Sequence, residues 1–102
     1  PDYDPALFIH EKSKSTLESS RAVLTGVITL LGGLTEWSNT ALVACLKAFA
    51  AEKGLKTGTV MWAVRVAISG LEMTPGGATE LAEILGRQET LRRLGLGLEK
   101  LA

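Results

Sequence analysis

Residues 56–70, KTGTVMWAVRVAISG, hold an apolar run bracketed by Gly58 and Gly70, and between those glycines stands a single charge, Arg65, at the middle. Val60, Val64, Val66 and Ile68 would suit a buried strand, and Val60, Val64 and Ala67/Ile68 would equally suit one face of a helix. Propensity does not arbitrate, but the rest of the chain does. No second strand-like run exists to pair with this one, and a lone strand would leave its backbone amides and carbonyls unsatisfied. The neighbouring segments all carry helical patterns. Residues 56–70 are therefore expected to form a helix ending at Gly70, and the chain a small all-α bundle of four to five short helices.

The other helices announce themselves by their ends. After an extended, two-proline opening, Ser15-Thr16-Leu17-Glu18 has the spacing of a capping box, which predicts a helix with Leu17, Arg21, Leu24, Ile28 and Leu31 along one stripe, widened by Val27 and stopped by Gly32-Gly33. Ser38 is the expected cap of a second helix. Its Leu42, Cys45, Leu46 and Phe49 share a face, and Gly54 stands where a left-handed C-terminal residue belongs. Thr74-Pro75 reads as N-cap and first helical residue of a helix that turns Leu81, Ile84 and Leu85 inward and closes at Gly86. The last segment, from Glu89 to Lys100, carries Leu91, Leu94 and Leu98 on one face, with Gly95 and Gly97 expected to weaken it and let its end fray.

At 102 residues, the chain (1–102) reads as one domain. Lys plus Arg and Asp plus Glu balance at eleven each, so no net field draws it to a membrane surface or to a phosphate backbone from afar. Any nucleic-acid partner must be met by shape and local contacts. The single cysteine, Cys45, forms no intramolecular disulfide and reads as core filler, in keeping with a reducing, cytoplasmic setting. No apolar run reaches the roughly 18 residues of a membrane span. Pro1-Asp2-Tyr3-Asp4-Pro5 looks like the interior of a longer chain, so an excised domain is the expectation.

Catalysis needs a constellation, and the inventory is thin: one His, one Cys, no carboxylate pair flanked by apolar pocket residues, no strand-loop-helix phosphate motif and no Cys/His spacing for a metal. His10 falls in the opening arm, where a surface or packing histidine is the plainer reading. Pro75-Gly76-Gly77 at a helix start offers free amides to an anion, although an ordinary loop-to-helix junction requires the same residues. Lys12-Ser13-Lys14-Ser15 has a superficial likeness to the Lys-Met-Ser-Lys-Ser loop of class I aminoacyl-tRNA synthetases, but it lacks the Met and runs directly into the capping box.

Five short pieces in register carry a stronger likeness. Gly54-Leu55-Lys56-Thr57-Gly58, Val64-Arg65-Val66-Ala67-Ile68-Ser69-Gly70, Thr74-Pro75-Gly76, Ile84-Leu85-Gly86-Arg87 and Leu91-Arg92-Arg93-Leu94 resemble, in order and spacing, the C-terminal anticodon-binding region of bacterial-type glutamyl-tRNA synthetase. Trp37-Ser38 is similar to that family's Trp-Thr helix opening, and Asp4-Pro5-Ala6-Leu7 to its opening segment, so the resemblance covers nearly the whole chain. This chain departs from the usual pattern at Ala63, where proline is common, at Trp62, often polar, at Leu71, often basic, and at Gly77, often leucine.

The resemblance implies part of a helical cage that grips the anticodon loop of glutamate tRNA. The parent enzyme joins glutamate to tRNA with ATP and magnesium (Mg2+) through a glutamyl-adenylate, on an N-terminal catalytic half absent from this chain. The segment itself is expected to bind no cofactor, to be a monomer and to be inactive alone. Arg65, Trp62 and the Thr74-Pro75-Gly76-Gly77 turn are implied at the anticodon, with Lys47, Arg87, Arg92 and Arg93 available to phosphates. Arginine suits this role because unstacked bases are read on their edges and stacked on guanidinium or aromatic planes. The blander readings remain open beside it: an Arg65 that caps a helix end or pairs with a glutamate, a Trp62 that is core, and basic residues that are solvated surface. A helical module docking another protein through its tryptophans and apolar run is the alternative function. A helix-turn-helix DNA reader is disfavoured by the neutral charge and the lack of a basic recognition helix.

Overall fold

A computed structural model of the chain describes residues 3–71, 74 and 76–102. A short 3-10 helix, Pro5–Phe8, precedes five α-helices: α1 (Leu17–Gly32), α2 (Asn39–Lys53), α3 (Thr57–Ser69), α4 (Ala78–Leu85) and α5 (Arg87–Leu101). Among the described residues there is no strand, only one isolated bridge between His10 and Ser15. The all-α expectation holds, and the ambiguous run is helical for the reason that disfavoured a strand, since helices occupy every neighbouring position.

Helix α3 is the axis of the bundle. Thr59, Val60, Trp62, Ala63, Val64, Val66, Ala67 and Ile68 are all buried on it, so it is covered on nearly every side. Such all-round burial is why its sequence reads as a continuous apolar run rather than a stripe. The residues left partly open are Thr57 and Gly58 in the first turn and then Met61, Arg65 and Ser69, spaced one turn apart along a single seam. Helices α2 and α3 end as expected, on Gly54 and Gly70 with φ of 68° and 71°, the left-handed conformation that glycine adopts without penalty.

The capping of α1 corrects the expectation by one residue. Thr16, not Ser15, is the N-cap: its Oγ1 accepts from Ser19 N at 2.9 Å, and Ser19 Oγ accepts from Thr16 N at 2.9 Å. Ser15 is buried instead, with its hydroxyl 3.1 Å from that of Ser20. The shift rotates the buried stripe onto Ser20, Val23, Leu24, Val27 and Leu31, leaving Leu17 and Arg21 exposed. Arg21 is nevertheless engaged, its Nε and Nη2 donating to Leu101 O at 3.0 and 2.7 Å and tying α1 to the end of α5.

Helix α4 also begins later than expected, at Ala78 with Gly77 as N-cap, so Thr74 lies outside it. Its buried residues are Ala78, Thr79 and Ala82, while Ile84 is 80% exposed rather than inward. Trp37 fixes the helix by donating from Nε1 to Ala82 O at 2.9 Å, and Glu83 reaches across to accept from Asn39 N at 2.8 Å. Helix α5 does not fray at its glycines. Gly97 is buried against α3, where a Cβ would stand 2.9 Å from Ala67 Cβ, so the residue expected to weaken the helix is the one that lets it approach.

Candidate nucleic-acid interface

Arg65 sits in the middle of the open seam of α3, half-buried, between Met61 one turn earlier and Ser69 one turn later. Its Nε is buried without a hydrogen-bond partner, and the side chain makes no hydrogen bond or ion pair among the described residues. Among the described residues neither bland alternative is found, because Arg65 caps no helix end there and meets no carboxylate of theirs. An unpaired buried polar atom costs about 1–3 kcal/mol, a state that Arg65 Nε shares with Tyr3 Oη and Asn39 Oδ1. Ser69 Oγ donates to Arg65 O at 2.6 Å and anchors the backbone of this turn.

Trp62 lies on the adjacent face and is only 8% exposed. Its Nε1 donates to Leu7 O at 2.9 Å, and His10 stacks on the indole with ring centroids 3.6 Å apart and planes 8° from parallel. His10 is thus the packing histidine of the plainer reading, held on the bundle rather than at its surface. Its Nδ1 lies 2.8 Å from Ser13 Oγ, and Thr59 Oγ1 donates to Ser13 O. The Lys12–Ser15 run is accordingly a turn strapped onto α3 by Trp62, His10 and Thr59.

Thr74 and Gly76 are half-buried, with Thr74 Oγ1 donating to Gly76 O. Gly77 N donates to Glu80 Oε1 at 2.9 Å. That carboxylate occupies an amide at the N-terminus of α4 and places a negative charge there, which opposes phosphate binding at this turn. Pro75 lies outside the described residues, as do Glu72 and Met73. Lys47 stands exposed on α2, with no hydrogen bond or ion pair to the other candidates among the described residues. Arg87 donates to Leu34 O and lies 5.4 Å over the Trp37 ring. Arg92 and Arg93 share Glu89, which accepts from both and is held down at a pKa of about 2, first by the Arg92 hydrogen bonds and then by that of Arg93.

Sequence reasoning missed Ser69 and Glu80, and for His10 it gave the packing role without the partner. Glu80 was findable, since it stands at capping-box spacing from Gly77. The His10–Trp62 stack had no local signal, because it joins residues far apart in the chain. Among the described residues no cluster of His, Cys, Asp or Glu is arranged to hold a metal, and no helix is long and apolar enough to cross a membrane.

Comparison with known proteins bears on the family of the chain. The chain is similar to glutamate–tRNA ligases, with 41% identity over 102 residues to that of Lachnoclostridium phytofermentans and 43% over 101 residues to that of Clostridium novyi. That of Clostridium tetani is 39% identical over 101 residues. These matches cover 100%, 99% and 99% of this chain but only 21% of each relative, so the chain spans about a fifth of their length. A family model described as the anticodon binding domain matches residues 1–98, and the chain belongs to that family.

Proposed function

We propose that this chain is the part of a glutamate–tRNA ligase that reads the anticodon loop of glutamate tRNA. The observation that carries the reading is Arg65: a guanidinium at the opening of a helix buried elsewhere, with Nε unpaired and no carboxylate paired with it among the described residues. A planar donor fork of this kind makes edge hydrogen bonds to an unstacked base or stacks upon it. Trp62 supports the site from beneath by pinning the 10–15 turn against α3, and a direct stacking role for it requires His10 to leave the indole. Thr74, Gly76 and Gly77 bring a backbone-lined edge to the same loop, and Pro75 is assigned to it from the sequence alone. Glu80 at Gly77 N turns that edge towards bases rather than phosphates. Lys47 is assigned an accessory phosphate contact.

Charging itself belongs to the remainder of the parent, which supplies the glutamate and ATP sites with Mg2+ and provides the second partner of this domain. The whole chain is read as one domain, monomeric, cytoplasmic and inactive without that catalytic half. The test is the affinity of the 102-residue chain for a glutamate-tRNA anticodon stem-loop and for a loop with the three anticodon bases changed. The reading requires preference for the matched loop. Arg65→Ala is expected to erase most of that preference, since a good bidentate base contact is worth about 1–3 kcal/mol of discrimination. Equal affinity for both loops in the unaltered chain would end it.

A second reading draws on the apolar residues left open. Ile84 on α4 is 80% exposed and Leu71 after α3 is 55% exposed, which fits a surface that meets protein. Binding to a protein partner that is indifferent to added RNA, with no stem-loop affinity at all, would favour it.

A further inference from the structure

A cleft of about 560 Å³ opens between the C-terminal turn of α3 and the second half of α5. Ser69 and Gly70 form one wall, and Arg92, Arg93, Glu99 and Lys100 bring three cations and one carboxylate to the other. With Glu89, which both arginines hold from behind, three cations face two carboxylates among the described residues, an excess of one positive charge. The guanidinium groups are held in place. Arg93 donates from Nη1 to Ile68 O at 2.7 Å and from Nε to Glu89 Oε2 at 2.7 Å, so it satisfies a terminal carbonyl of α3 that would otherwise repel an anion. Arg92 donates from Nε and Nη2 to Glu89 at 2.9 and 2.6 Å, yet its side chain remains 59% exposed. Lys100 Nζ stands 4.6 Å over the Tyr3 ring. Prepositioned arginines lose little side-chain freedom when they meet a planar or tetrahedral anion.

Ser69 belongs both to this cleft and to the seam that holds Arg65, four residues earlier and therefore about 6 Å along the helix axis. Leu96, 46% exposed, adds an apolar edge that suits a sugar face. The geometry points to this cleft as the seat of an RNA backbone phosphodiester, one that belongs to the strand whose base meets Arg65, with Arg92 as the principal contact. The inference rests on the RNA-reading proposal above. It differs from that proposal in assigning the cleft affinity without base preference.

Two substitutions test it in opposite directions, each with the matched and the base-changed stem-loop across a salt series. Arg92→Gln is expected to weaken both loops by the same factor and to lower the slope of log affinity against log salt by about 0.7, the loss of one single-strand phosphate contact. Glu99→Gln, on an exposed residue of the rim, is expected to tighten both loops equally, a gain that misfolding does not mimic. A neutral methylphosphonate placed at successive loop linkages should reproduce the Arg92→Gln effect at one linkage and add nothing to it there. If Arg92→Gln and Glu99→Gln leave affinity and slope unchanged while the unaltered chain still prefers the matched loop, the cleft assignment is overturned and the anticodon reading survives. If the unaltered chain binds neither loop, both fall, and a cleft that meets an acidic protein surface becomes the better account.

Discussion

Gly97 of α5 meets Ala67 of α3 so closely that a Cβ on the glycine would lie 2.9 Å from the alanine Cβ, and 3.3 Å from Tyr3 Oη. The contact brings the two helices together beside the basic cleft and positions Tyr3 on the same joint. It also separates two glycines that look alike in the sequence, since a Cβ at Gly95 would have nothing within 4 Å.

Gly97→Ala therefore adds a methyl where its neighbour, Ala67 Cβ, is fixed to the backbone and cannot swing aside. Overpacking of this kind costs about 1–3 kcal/mol, and the better helix propensity of alanine returns up to about 1. A net loss of about 1–2 kcal/mol is expected, read as a lower urea midpoint. Gly95→Ala has only the propensity gain and should raise the midpoint by the equivalent of about 0.5–1 kcal/mol. Equal effects from the two substitutions would contradict the close approach.

Glu89 gives a pH dependence of known sign. Its carboxylate, lowered from 4.5 to about 2 by the Arg92 and Arg93 guanidinium groups, binds its proton less readily in the folded chain than in the unfolded one. Its stabilising contribution is thus fully present above about pH 4.5 and is lost as pH falls towards 2. Glu89→Gln should lack this component. Urea midpoints of the two proteins, compared between pH 6 and 2, should converge across that window, and a constant difference would refute the assignment.

Trp62→Phe removes the hydrogen bond to Leu7 O and leaves that carbonyl unpaired while shrinking the ring beneath His10. A destabilisation of about 2 kcal/mol is expected from the lost bond and the cavity together. The His10 ring protons should move downfield as the indole leaves. Preference for the matched stem-loop should persist once the protein is saturated with RNA. Loss of that preference in a folded Trp62→Phe protein would mean that the indole itself stacks a base.

The legible part of the molecule was whatever is written locally. Helix ends at Gly54 and Gly70 were readable because a left-handed residue after a helix nearly demands glycine. The helical state of 56–70 followed from the lack of any strand to pair with it. Ser15 and Thr16 are both good N-cap residues, and Ser15 is taken up instead by a contact across the first turn, the buried Ser15–Ser20 hydroxyl pair. Gly97 was misjudged because propensity speaks of an isolated helix, whereas the space beside Ala67 exists only in the bundle. At the candidate site, the position of Arg65 on α3 was legible. Its lack of a partner was not, because that depends on which groups the described elements bring within reach of Nε, and none does.

The central claim is that the open seam of α3 reads bases. The most direct measurement is an amide NMR titration of the chain with the glutamate-tRNA anticodon stem-loop and with the base-changed loop, each at low and moderate salt. The account predicts shifts with the matched loop that cluster at Met61, Arg65 and Ser69 and at Thr74, Gly76 and Gly77, weaken as salt rises, and largely vanish from those residues with the base-changed loop. Identical shift patterns with the two loops, or shifts that spare the α3 seam, would contradict it.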